Sequence, residues 1–335
     1  MKTAIIILNW NGADVTIDCL RSLCEADGDF FVVVADNGSQ DGSAGRIAQW
    51  LSDNNLSFRH VAEGDEKNVT CECGNMLLYS LNCNYGFAKG NNKAVALAMN
   101  SSPDNILLLN NDTVVNKEFL VRLLEFRAAH PEYKVLTPLI NFFSDKELVW
   151  NAGGKLKYGF RNYYYGRRNM SEIKEREYIE ISFVTGCALL VPASMLDAEN
   201  TLLTERFFFG EEDFDFSLRM AKGGVKMACV LNSLIYHKVG TSLSQQSNVP
   251  GKTYIHYLNR FIDVRLHYSS LFYKIWRLFY KPYIALLLHR KGCSASEINS
   301  FISRLYRDSL VKDRVTYDDF KKALSQDWCG KEIAV

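Results

Sequence analysis

Hydrophobic residues follow two alternating periods along the first half of the chain. Residues 3–8 (TAIIIL) and 30–35 (FFVVVA) are continuous apolar runs, the mark of strands buried on both faces. Between them the period lengthens. Val15 and Cys19 lie one turn apart, with Leu20 and Leu23 on the same side, which predicts a helix capped by Asp14 and running to about Cys24. Residues 43–51 fit a second helix. After a polar stretch from 53 to 75, the pattern predicts a strand at 76–81, a helix at 87–99, a strand at 106–109 (ILLL) and a helix from 117 to about 129. This order predicts an α/β fold, a mostly parallel sheet with helices on both faces.

In such sheets ligands gather at the carboxyl ends of the strands. Strand one ends in Asn9-Trp10-Asn11-Gly12 and strand two in Asp36-Asn37-Gly38-Ser39. The third runs into Asn84-Tyr85-Gly86, and the fourth into Asn110-Asn111-Asp112-Thr113. One such loop is ordinary turn chemistry. Four converging on one crevice predict a polar ligand.

The second half is less regular. Residues 181–191 (ISFVTGCALLV) predict a strand in which Gly186 marks a close backbone approach. Residues 207–210 (FFFG) lead into Glu211, Glu212 and Asp213 and a helix to about 221, closed by Gly223 and Gly224. Residues 225–230 and 233–236 predict two more strands, the last ending at His237. Residues 252–291 then hold eight Lys or Arg, one acid (Asp263) and ten aromatic residues. The boundary is expected in the loop 242–249, dividing the chain into 1–245 and a mainly helical region, 246–335. Two packing helices with snorkelling lysine stems account for the basic aromatic stretch. Its functional alternative is a membrane-surface contact through 254–291.

Bulk composition narrows the function classes. Hydrophobic residues at 47% and charged residues at 23% describe an ordinary globular protein. The 39 basic and 38 acidic residues nearly cancel, and no nucleic-acid-binding motif accompanies them. No run approaches the roughly 18–20 uncharged apolar residues of a membrane span; the nearest, 271–288, is broken by Lys274, Arg277 and Lys281. Nine scattered cysteines without a secretory leader suggest free thiols in a reducing, cytoplasmic compartment. Cys71, Cys73 and Cys83 match no common zinc spacing.

Individual residues keep two readings each. Asp112 suits a hard divalent cation through a carboxylate oxygen, or caps the following helix. His237 is a metal ligand or a core histidine. Glu211, Glu212 and Asp213 complement the helix dipole, or supply a general base whose proton affinity is raised by the apolar 207–209 segment. Neither Gly-x-Gly-x-x-Gly, nor a Walker-type Gly-Lys-Ser/Thr, nor Gly-x-Ser-x-Gly occurs, which disfavours dinucleotide enzymes, P-loop NTPases and serine hydrolases.

Taken in order, IIILNWNG, VVVADNGSQDGS, NYGFAKGNN, LLLNNDT, FVTGCALLVP, FFFGEEDFDFSLRMAKGGVKM and IYHKVGTS resemble the family 2 glycosyltransferases, which have the GT-A fold. The resemblance spans about residues 3–242. It implies that Asp36 contacts the nucleotide base, with Asn9, Asn11, Asn84, Gly86, Asn110 and Asn111 lining the donor pocket. Asp112 and His237 would bind Mn2+ or Mg2+. Asp213 would deprotonate an acceptor hydroxyl, supported by Glu212. Asn110 departs from the family's Asp-x-Asp metal motif. That substitution is similar to the rhamnosyltransferase-like branch and favours a dTDP-linked over a UDP-linked donor.

The implied protein is an inverting, metal-dependent glycosyltransferase. It would act on a glycan or lipid-linked acceptor in cell-surface polysaccharide synthesis, in the cytoplasm or at the inner face of the membrane. Two competing readings remain. A non-catalytic nucleotide-sugar-binding relative is kept open by Asn110. A sugar nucleotidyltransferase is disfavoured because no Gly-rich loop with Lys or Arg follows strand one.

Overall fold

The apolar runs become the centre of one large mixed sheet. The structure, a computed structural model, describes residues 1–239 and 249–326. Most of the expected boundary loop, 242–248, therefore lies outside the described residues. Strands β1 (Thr3–Asn9), β2 (Phe30–Asp36), β4 (Met76–Ser80) and β5 (Asn105–Leu109) run parallel, with β1 between β2 and β5. They alternate with helices α1 (Ala13–Cys24), α2 (Ser43–Asp53), α3 (Phe87–Met99) and α4 (Phe119–Ala129). Successive side chains of β1 enter opposite cores. Ile6 packs on the α3 side with Ala94 and Val95, while Ile5 and Ile7 pack with Leu20, Ile47 and Leu120 of α1, α2 and α4. Helices thus cover both faces of a mostly parallel sheet.

Several elements depart from the sequence expectation. The polar stretch 53–75 contains β3 (Phe58–Ala62), an edge strand with three of its five residues exposed; its lack of apolar alternation concealed it. Strands β6 (Thr113–Val115) and β7 (Tyr133–Phe142) join the sheet, as does β8 (Val149–Asn151), while β9 (Gly154–Lys157) and β10 (Phe160–Tyr163) form a separate hairpin. Residues 181–191 are not one strand. β11 (Tyr178–Ile181) ends on the sheet edge, and β12 (Ala188–Pro192) inserts antiparallel between β5 and β7, so Gly186 lies in the turn between them. The two strands expected before His237 are one, β13 (Lys226–His237), bulged between Val230 and Leu234. Asp14 does not cap α1. Gly12 holds that position without a side-chain bond, and Asp14 instead pairs with Arg46.

Beyond α5 (Glu212–Lys222) and β13, the described residues form the helices α6 (Val249–His267), α7 (Ser270–Arg290), α8 (Ala295–Val311) and α9 (Tyr317–Ser325). Capping boxes start the last two, Ser294 with Glu297 and Thr316 with Asp319. These helices share a third core with Phe214 and Leu218 of α5 and with Phe183. That shared core matters for the site, because it brings α6 against the start of α5. Among the described residues seven cysteines carry free thiols, whereas Cys293 is disulfide-bonded, a departure from the expectation of free thiols throughout. Among the described residues, no helix is long and apolar enough to cross a membrane.

Candidate functional site

The polar strand ends meet through side-chain hydrogen bonds. Asn9, fully buried at the end of β1, donates through Nδ2 to Asp36 Oδ1 (2.6 Å) and accepts at Oδ1 from the Thr16 hydroxyl (2.8 Å). Asp36 also accepts from the Ser39 hydroxyl at Oδ1 (2.6 Å) and from the Ser39 N–H at Oδ2 (3.1 Å). Asn11, held at φ 49°, receives the Gln40 N–H and donates its own N–H to Ser39 Oγ. The β1 and β2 loops are thereby one unit.

The third loop joins through a residue that sequence reasoning did not single out. Asn37 donates to Asn84 Oδ1 (3.0 Å) and to the Gly86 carbonyl (3.2 Å), and accepts from the Tyr85 N–H (3.0 Å). Gly86 has φ 83°, and a Cβ there would lie 2.1 Å from the Phe208 carbonyl oxygen. Only glycine fits both the left-handed backbone and that approach. In the fourth loop, Asn111 donates to the Thr16 hydroxyl (2.9 Å). Asp112 and His237 meet, with His237 Nε2 3.0 Å from Asp112 Oδ1, because β13 pairs with β6 at His237 and Thr113.

Asp112 and His237 have the donor spacing of two ligands on one cation. Two neighbouring ligands at about 2.1 Å from an octahedral ion lie about 3 Å apart, which matches the observed 3.0 Å separation. Both residues are buried, and His237 packs edge-on against Trp150 (4.3 Å). His237 Nδ1 is buried without a hydrogen-bond partner in the structure, so the usual outer-shell acceptor of a ligating histidine is not supplied by the described residues. The pair fits a divalent cation as two of its ligands.

At the start of α5 three carboxylates crowd together in different environments. Glu211 has φ 72°, is buried, and is met by Arg161 (3.5 Å), His256 Nδ1 (3.0 Å) and Arg260 Nε. Burial opposes its charge, but Arg260, Arg161 and His256 outweigh that and hold the carboxyl well below its ordinary range. Glu212 has the reverse balance. Burial, then the neighbouring Asp213 and Glu211, push its carboxyl up to about 8, and its Oε2 is buried without a partner. Asp213 keeps 19% of its side chain exposed and lies 3.7 Å from Arg161. Burial raises its carboxyl and Arg161 counters that. Of the three, Asp213 has the most accessible carboxyl.

Two short links tie these carboxylates to the strand-end loops. Gly186 packs beside Asp213, where a Cβ on the glycine would lie 4.0 Å from the Asp213 Cβ, and the carbonyl of the next residue, Cys187, accepts from the Asn110 N–H (2.8 Å). The Phe87 N–H donates to the Phe208 carbonyl (3.1 Å), fastening the Asn84–Gly86 loop to the segment before α5. Phe208 and Phe209 pack on Phe320 of α9, and Phe207 is buried in the third core.

Cys71, Cys73 and Cys83 form no ligand group. Among the described residues, the one cluster with ligand atoms gathered within 4.8 Å is Asp215, Asp263 and His267. It joins α5 to α6 and could hold a divalent cation, although Arg219 Nε (2.7 Å) and Arg206 (3.8 Å) already counter the charge of Asp215.

Residues 2–249 match the family described as glycosyltransferase like family 2. The chain belongs to that family. Among solved structures it is similar to a mannosyltransferase from Pyrobaculum calidifontis, PcManGT, in complex with GDP-Man and Mn2+. The identity there is 12%, over 96% of this chain and 84% of that one, with TM-score 0.55. It is also similar to GalNAc-T7 with UDP, GalNAc and Mn2+, at 12% identity over 96% of this chain and 56% of that one, TM-score 0.58. These likenesses establish the glycosyltransferase fold. A weaker one is to S. aureus TarS 1–349, at 16% identity over 78% of this chain and TM-score 0.49. The chain spans 65% of that structure and 39% of the longer TarS structure. None of the curated proteins compared matches the chain.

Proposed function

We propose that this protein is an inverting glycosyltransferase that moves a sugar from a nucleoside-diphosphate sugar to a hydroxyl of a glycan or lipid-linked acceptor. The observation that carries the reading is the closeness of the two halves of the site, with Gly186 packed beside Asp213 and the next residue, Cys187, bonded to Asn110. A donor held in the strand-end loops would then lie beside an accessible carboxylate. Asp36 would receive the base N–H at Oδ2, which accepts a single protein hydrogen bond. Asn9, Asn11, Asn84, Gly86, Asn110 and Asn111 would line the rest of that pocket.

Asp213 takes the proton of the acceptor hydroxyl as its oxygen attacks the anomeric carbon from the face opposite the diphosphate. The carbon–oxygen bond to the diphosphate breaks and its electron pair leaves with the nucleoside diphosphate, so the centre inverts. Glu212, still protonated near neutral pH, spares Asp213 a second adjacent negative charge. Arg161 favours the ionised form of Asp213. A Mn2+ or Mg2+ held by Asp112 and His237 would neutralise charge on the diphosphate, in line with the Mn2+ in the PcManGT and GalNAc-T7 structures. Asn110 in place of an acid gives that site less negative charge, and through the rhamnosyltransferase-like resemblance it favours a dTDP-linked over a UDP-linked donor. Cell-surface polysaccharide synthesis at the cytoplasmic side of the membrane is the setting this chemistry suits.

The test is a panel of dTDP-, UDP- and GDP-sugars with and without Mn2+, read by thermal shift and nucleotide release. Stabilisation that requires both the metal and one nucleotide class, and that is lost in Asp112→Ala, is the expected result. No response to any donor would refute the reading.

A further inference from the structure

Helix α7 divides its apolar residues between two faces. At about 100° per residue, Tyr273, Trp276, Tyr280, Ile284 and Leu288 share one side and are buried in the third core. Leu271, Ile275, Leu278, Phe279, Tyr283 and Leu286 share another, and each is between 48% and 71% exposed. A contiguous apolar stripe of this length on a protein surface marks a contact with another phase or another protein.

Charge decides between those occupants. Residues 270–291 carry Lys274, Arg277, Lys281, Arg290 and Lys291 and no acid. Arg277 is drawn inward over Tyr273 and Tyr306, and Lys291 donates to Thr253. Lys274, Lys281 and Arg290 stay exposed beside the stripe. A second copy of this chain packed through the same face would set these cations against their own images, since a two-fold contact pairs a patch with itself. An anionic bilayer surface takes both features. Its headgroup boundary receives the apolar side chains, and its phosphates receive the lysine and arginine heads.

Through its opposite, buried face, α7 also adjoins the candidate site. Phe160 of the β9–β10 hairpin stacks on Tyr280 (4.9 Å) and lies against Trp276 (6.1 Å). The next residue, Arg161, is the one that meets Glu211 and Asp213. The β9–β10 hairpin therefore touches both the inner side of α7 and the carboxylates. We propose that α7 lays its exposed apolar stripe into an anionic membrane surface and so brings Asp213 to an acceptor carried on a lipid. The docking stands on the stripe and its charges, while the acceptor rests on the glycosyl-transfer reading above.

The experiment is co-sedimentation of the full chain with phosphatidylcholine vesicles, with and without phosphatidylglycerol. The wild type should pellet with the anionic vesicles, less so as salt rises. The Leu278→Ser/Phe279→Ser double variant should bind at least ~10-fold more weakly, with its thermal unfolding and donor-dependent nucleotide release unchanged. Lys274→Glu/Lys281→Glu should weaken binding to the anionic vesicles alone. Absence of sedimentation with anionic vesicles, or undiminished binding by the serine variant, would overturn the docking. So would self-association in solution that the serine substitutions abolish while vesicles are ignored, since the face would then belong to a second copy. Vesicle binding by a protein that responds to no nucleotide sugar would leave the docking standing and remove the transfer reading.

Discussion

Around Asn9, Asp36, Asn37 and Asn84, the hydrogen bonds run mainly among amides, hydroxyls and backbone groups of loops that each close their own strand. Around Glu211 the partners are charged and come from far along the chain, Arg161 from the β9–β10 hairpin and Arg260 from α6, 49 residues on. The first region needs only the parallel sheet to bring its loops together. The second needs the C-terminal helices in place, because His256 and Arg260 join Arg161 in holding a buried carboxylate. A polar crevice can be assembled by topology, whereas a cluster of buried charges depends on its counter-charges.

This contrast is broken most forcefully by removing one of those counter-charges. Arg260→Ala leaves Glu211 buried beside Arg161 and His256, and should cost about 3–5 kcal/mol in chemical denaturation. A change well under that would mean that α6 is dispensable to the cluster. On the crevice side, Gly86→Ala meets a positive φ and the Phe208 carbonyl at once. It should lower stability by about 1–3 kcal/mol and weaken donor binding, measured by denaturation and thermal shift. If Gly86→Ala is neutral, the third loop is not fastened to the segment before α5 as described.

Much of the first region was legible in the sequence, and little of the second. Parallel strands buried on both faces read as unbroken apolar runs, so β1, β2, β4 and β5 and the polar residues at their ends stood out. Asp112 and His237 were paired through family resemblance, and the register of β13 against β6 is what sets them 3.0 Å apart. Asn37 was passed over because an Asn in a turn looks like any other. Arg161 sits in a four-residue strand, FRNY, with no alternation to mark it. His256 and Arg260 lie four apart on one helix face, but the basic aromatic composition around them suggested snorkelling cations. Arg260 is in fact 3% exposed and stacked over Phe214.

A pH-dependent effect sharpens the comparison within the charged cluster. Glu212 in the folded protein holds its proton up to about pH 8, against an ordinary value of 4.5. Unfolding therefore releases a proton between those values, and this contribution to stability falls as pH rises from 4.5 to about 8. In Glu212→Gln that component of the decline should vanish, leaving the variant more stable than the wild type above pH 8. Parallel stability–pH curves for the two proteins would show that Glu212 ionises normally.

The most direct test of the central claim compares wild type with Asp213→Asn, following nucleoside diphosphate release with the donor and acceptor pair that supports turnover, alongside donor binding by thermal shift. If Asp213 is the base, release falls by about 100- to 10,000-fold while donor binding is kept. Release at the wild-type rate from Asp213→Asn would contradict the account and move the proton acceptor elsewhere.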